Sequence, residues 1–218
     1  MWAEVLIDLD ITSLPYHVHY VLDLLEYVGF DTSTLDQQAI YDYLSVVDYT
    51  DFVLDLTACE DFFAEFDIDS TAFNQTAWEE VQAELEIIWL PYDVHTILDI
   101  LGAIGYDTST LSQTEMQAYL EEIDWDNFVL DSTAIHSFFD DFAIDYSNFS
   151  DDDWTYIFET LGVVEMPYDV HEILGILETV GYDSSTVDQY ALYYILIEID
   201  PDNFVLDNWA LDYLWNNL

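Results

Sequence analysis

Three histidines, His19, His95 and His171, are evenly spaced along the chain, each closing a Pro-Tyr-x-Val-His run. Imidazoles are good zinc ligands, and three of them brought to one point would leave an open fourth position on the metal. A second set of residues suits a harder cation. Asp124 with Asp126, and Asp200 with Asp202, place carboxylates at positions one and three of a calcium-type loop. Such a loop also calls for Gly at position six and Glu at position twelve. Here those places hold Val129 and Ile135 in one loop, Val205 and Leu211 in the other. Asx turns and helix caps use the same aspartates without an ion.

The histidines also have a plainer reading. In a helix, His95 comes one turn from Asp99, as His19 does from Asp23, which describes a solvated His–Asp pair near a helix start. The third copy has Gly175 at that place, and His17 makes a His-x-His in the first copy only. Both departures weaken a symmetric three-histidine site. Asp151, Asp152 and Asp153 crowd a helix start, where negative charge is favourable. Cys59 aligns with Ile135 and Leu211 and reads as a core filler. The chain has no nucleophile motif and no phosphate-binding loop, and none of its 47 carboxylates stands out as a catalytic pair. The expectation is a non-enzyme without a cofactor, with calcium or other cations held diffusely.

The elements that must position these residues repeat with them. Leu14-Pro15-Tyr16 returns at 90–92 and, with Met166 leading, at 166–168. Phe52-Val53-Leu54-Asp55 returns at 128–131 and 204–207, and Trp2, Trp78 and Trp154 keep the same register. Self-similarity at a fixed period marks a repeat architecture. Each repeat, of the length that separates His19 from His95, reads as four helices. The first opens with Pro91 at N1 and stops at Gly105, a C′ glycine, with Val94, Ile97, Leu98, Leu101 and Ile104 at helical spacing. The second is capped by Ser112 with Glu115 three residues on, its counterparts being Asp36 and Asp188. The third starts at Asp131 and the fourth at Ser150. Turns of the type Asp-x-Ser/Thr/Asp begin at Asp31, Asp48, Asp69, Asp107, Asp124, Asp145, Asp183 and Asp200, suggesting a smaller unit of about 19 residues. The expected fold is all-α: a helical repeat, as an α-solenoid or a closed three-fold ring.

The expected organisation is one repeat domain. Residues 1–14 form the last helix of a partial repeat, followed by repeats at 15–90 and 91–166 and an incomplete one at 167–218. Residues 1–14 and 207–218 are then complementary. They can pair within a chain, closing a ring, or between chains, propagating as a filament.

Composition narrows the partners. The 218 residues include 47 Asp and Glu but neither Lys nor Arg, for a formal net charge of −47. Average usage would supply roughly 25 basic residues. Nucleic acids and anionic membranes need cationic side chains, so neither is an expected partner. The chain is 52% hydrophobic and 17% aromatic, which is core-forming material rather than a disordered acidic tail. Self-repulsion must be screened by salt, cations or acid. Met1-Trp2-Ala3-Glu4 is no secretory start. The absence of any trypsin site suits an extracellular or otherwise harsh setting. The expected function is therefore structural self-assembly. Its rivals are an acidic decoy, as a DNA mimic or a binder of a cationic protein, and a designed repeat lacking basic residues.

Overall fold

A computed structural model describes residues 14–164, 166–179 and 181–199, and among these residues every regular element is helical. Most of the two expected complementary ends, 1–14 and 207–218, lies outside the described residues. The α-helices are α1 (Val18–Tyr27), α2 (Gln37–Ser45), α3 (Leu56–Glu65), α4 (Gln75–Glu84), α5 (Val94–Ala103), α6 (Gln113–Glu122), α7 (Ser132–Asp141), α8 (Asp151–Leu161), α9 (Val170–Thr179) and α10 (Gln189–Leu196). Their starts are evenly spaced along the chain, from Val18 through Gln37 and Leu56 to Gln189. None is longer than 11 residues, a length at which an isolated helix is marginal in water. Their ends and their buried faces must hold them.

The starts are marked by polar side chains in the same phase. Asp36, Asp55, Asn74, Asp131 and Asp188 each accept a first-turn backbone N–H through the side chain. Asp93 does the same for Thr96, and Ser112 for Glu115. Ser150 forms a full capping box with Asp153. Helix α5 thus starts at Val94 with Asp93 as its cap, three residues later than Pro91 suggests. Pro91 lies in the bend before it. At the far end Gly105 is left-handed (φ +83°), and the N–H of Tyr106 returns to the carbonyl of Leu101 at 2.9 Å. This is the Schellman closure expected of a C′ glycine. Ala143 takes the same conformation (φ +51°) after α7.

Two compact units divide the chain, residues 1–98 with 112–118, and residues 99–111 with 119–218. Helices α5 and α6 contribute residues to both. In the first unit Val18, Leu22 and Leu25 of α1 pack with Ile40 and Leu44 of α2 and with Phe62 and Phe63 of α3. In the second, Val170, Ile173 and Leu174 of α9 pack with Leu192 and Leu196 of α10 and with Val129. The two sets correspond in part: Val18 answers to Val170 and Leu44 to Leu196 across two periods of the sequence. No described helix is long and apolar enough to cross a membrane.

Candidate functional site: shared caps on helix starts

Asp55 ends the Phe-Val-Leu-Asp segment and caps α3, its Oδ1 accepting the N–H of Ala58 at 2.9 Å. Its Oδ2 is turned to another helix. It accepts the backbone N–H of His95, at the second position of α5, at 3.0 Å, and lies 2.9 Å from the His95 ring Nδ1. The exchange is mutual. Asp93, the cap of α5, accepts Thr96 N–H on Oδ1, and on Oδ2 the backbone N–H of Thr57 (3.2 Å) and the Thr57 hydroxyl (3.1 Å). The starts of α3 and α5, with a whole helix between them in the chain, therefore share two carboxylates. Each aspartate satisfies orphan N–H groups of its own helix and of the other.

The second unit repeats the arrangement. Asp131 accepts Ala134 N–H at 2.8 Å and His171 N–H at 2.9 Å, with His171 Nδ1 at 3.0 Å. Asp169 accepts the Thr133 N–H and hydroxyl, both at 2.9 Å, and the Ser132 hydroxyl at 2.6 Å. Asp55 and Asp131 are 1% and 0% exposed. A buried carboxylate is costly unless its oxygens are fully bonded, and here each takes three N–H donors. The Phe52 ring packs at a tilt against His95 with centroids 5.5 Å apart, and Phe128 against His171 at 5.0 Å.

A second shared cap lies beside the first. Asp51, in the turn after α2, accepts the N–H groups of Gln113 and Thr114 and the hydroxyls of Ser112 and Thr114, all at 2.8–3.1 Å. Gln113 Oε1 in return accepts Val53 N–H at 3.0 Å. These bonds hold the Asp51 carboxyl down at about 2, led by those from Thr114. At the equivalent place in the second unit, Asn127 accepts Gln189 N–H (2.9 Å), and Gln189 accepts Val129 N–H (3.1 Å). Asn127 also donates its amide to the Val187 carbonyl at 3.0 Å.

His95 and His171 therefore belong to buried caps and pair with Asp55 and Asp131, which for His95 corrects the reading of a solvated pair with Asp99. Burial of the His95 ring pulls its pKa down. The bond to Asp55, with the fields of Asp55, Asp93 and Asp61, outweighs this and leaves it above the ordinary value. His19 is exposed at the second position of α1, and His17 caps that helix by accepting Tyr20 N–H on Nδ1 at 3.1 Å. Asp124 and Asp126 are exposed in the turn after α6, and Asp200 and Asp202 lie outside the described residues. Among the described residues no group of three or more His, Cys, Asp or Glu is arranged to hold a metal ion. Of the other turn aspartates, Asp31, Asp48, Asp69, Asp107, Asp145 and Asp183 each accept the N–H two residues on, the Asx geometry.

An Asp–His pair beside Cys59 invites comparison with a catalytic thiol. Burial, followed by the Asp55, Glu60 and Asp93 charges, pushes the Cys59 thiol up to about 12, far from the thiolate that attacks. Asp131–His171 makes the same contacts with Ile135 in the place of Cys59. The pair thus forms with or without a neighbouring thiol.

No known family model, curated protein or solved structure is similar to this chain.

Proposed function

We propose that this is a non-enzymatic structural protein, an acidic all-α helical repeat whose copies associate head to tail. The observation that carries the reading is the shared cap, present at Asp55–His95 and again at the equivalent pair Asp131–His171. It ties a helix start to that of the next helix but one. Its Asp–His half can be extended by a further segment, although His17 and Trp209 stand where the reciprocal half has Asp93 or Asp169 and Thr57 or Thr133. His19 has the register of His95 and His171, and Asp207 that of Asp55 and Asp131. In this reading His19 of one copy pairs with Asp207 of the next. Closed within one chain, the same joint makes a three-fold ring.

Association must overcome a formal charge of −47. Cations or acid supply the screening. Light scattering with negative-stain imaging, at about pH 7.5 and about pH 4 (above and near the ordinary carboxylate range), with and without calcium, tests it. Discrete oligomers or filaments growing as charge is screened support assembly. A monomer under every condition overturns it.

A further inference from the structure

Asn74-Gln75-Thr76 has the form of an acceptor triplet for an N-linked glycan, an asparagine with a threonine two places on. The triplet alone is a weak signal, and its surroundings decide. Asn74 caps α4, its Oδ1 accepting the Ala77 N–H at 3.0 Å. The other starts from α2 to α8, and that of α10, are capped by aspartates and serines. Asparagine caps about as well as aspartate, but it also brings a nitrogen. A glycan attaches to Nδ2 and leaves the carbonyl oxygen on Ala77, so the cap survives the modification. Asn74 and Thr76 are both exposed.

An open hollow adjoins them, bordered by Asn74, Thr76 and Glu80 on one side and by Tyr27 and Val28, at the end of α1, on the other. Phe30 and Phe73 bring these two ends together, their rings edge to face at 6.5 Å. Tyr27 is 70% exposed, and its ring offers the kind of electron-rich face on which the C–H groups of a sugar pack. The sequence repeat supplies an internal comparison. In the next copy Ser150 stands for Asn74, Asp152 for Thr76 and Ala103 for Tyr27. The triplet and the exposed aromatic ring are present together and absent together. The chain's other triplet, Asn148-Phe149-Ser150, has its serine hydroxyl bonded to Asp153 at 2.7 Å.

We propose that Asn74 is a site of N-glycosylation, with the first sugar of the glycan packed against Tyr27. The donor is an oligosaccharide carried on a lipid pyrophosphate. The bond from the sugar's anomeric carbon to the pyrophosphate oxygen breaks, and the pyrophosphate leaves with the electron pair. The anomeric carbon joins Asn74 Nδ2, which gives up one proton. The modification calls for passage through a secretory lumen and does not depend on how copies of the chain associate.

The full chain, expressed behind a cleavable secretion leader in cultured animal cells, should carry a glycan that peptide N-glycosidase removes, leaving Asp at position 74 by mass spectrometry. Medium and cell lysate are both read, so a retained chain is scored as well. Thr76→Ala breaks the triplet without touching the Asn74 cap and should abolish modification there, whereas Thr76→Ser should keep it. In an Asn148→Gln background, which leaves one triplet, the glycoprotein should melt about 2–4 °C above the same chain made in bacteria, the shift expected of one added ring contact. Tyr27→Ala should keep the glycan and lose that difference. The proposal is overturned if Asn74 emerges unmodified, if the glycan sits on Asn148 alone, or if Tyr27→Ala leaves the difference in melting unchanged.

Discussion

His95 Nδ1 lies 2.9 Å from Asp55 Oδ2, although 40 residues of chain separate them. The same carboxylate oxygen holds the His95 backbone N–H, while its other oxygen holds Ala58. One buried aspartate thus organises the first turns of α3 and α5 together. A helix of 10 residues gains more from such a cap than a long one, because its orphan N–H groups are a large share of its backbone.

Asp55→Ala removes three N–H acceptor contacts at a buried position. The expected loss is about 3 kcal/mol, the sum of a cap and a charge-assisted hydrogen bond. Thr57→Ala, which removes a hydroxyl bonded to Asp93 and to the Thr96 hydroxyl, should cost about 1 kcal/mol. Urea denaturation followed by circular dichroism measures both. Equal, small losses would show that the shared cap contributes little.

His95 gives stability a pH dependence of definite sign. Its folded pKa is raised, so its contribution is complete below the ordinary histidine value of about 6.5 and fades as pH rises through the folded value. The groups facing it are the carboxylates of Asp55, Asp93 and Asp61. The wild-type chain should therefore lose stability from about pH 6 to pH 8 more steeply than His95→Gln. Parallel curves would remove His95 from the account of pH.

Asp51 acts in the opposite sense and at lower pH. Its carboxyl is held at about 2, so its contribution is present above the ordinary value of about 3.9 and disappears as pH falls through the lowered one. Asp51→Asn reproduces Asn127, which keeps an acceptor on Gln189. It should be milder than Asp51→Ala at neutral pH and should flatten the acid limb between about pH 4 and pH 2. Acid titrations of the three chains provide the comparison.

Ala143 carries backbone strain that glycine would relieve. Its φ of +51° repeats the left-handed turn that Gly105 makes after α5. For a residue with a Cβ this conformation costs about 1–2 kcal/mol, partly offset by the greater freedom of an unfolded glycine. Ala143→Gly should raise stability by about 0.5–1 kcal/mol, and Gly105→Ala should lower it by a similar amount. Thermal unfolding separates the two signs.

Much of the helical framework is legible in the sequence because its punctuation is chemical. Asp36, Ser112, Asp131, Ser150 and Asp188 mark helix starts by residue type, and Gly105 marks a helix end. Pro91 misleads by three residues, since Asp93 offers a side-chain cap that proline lacks and Tyr92 and Asp93 continue the bend. The repeated Phe-Val-Leu-Asp and Pro-Tyr-Asp segments contain the shared cap, yet nothing local joins them. The spacing of His95 to Asp99 is visible along one helix, whereas Asp55 reaches His95 only once α3 and α5 are packed. The Asp51–Gln113 exchange is hidden for the same reason, as it spans 62 residues.

The joint between copies can be tested by mixing. His19→Ala leaves a chain with only its Asp207 end able to join, and Asp207→Ala leaves only the His19 end. Removing one partner of a buried charge-assisted pair costs about 2–5 kcal/mol, enough to weaken self-association at least about tenfold. Sedimentation velocity of each variant alone, under conditions where the wild-type chain associates, should show monomer. An equimolar mixture of the two should show a dimer that grows no further. Larger species in either variant alone, or monomer in the mixture, would contradict the pairing of His19 with Asp207 and the head-to-tail assembly built on it.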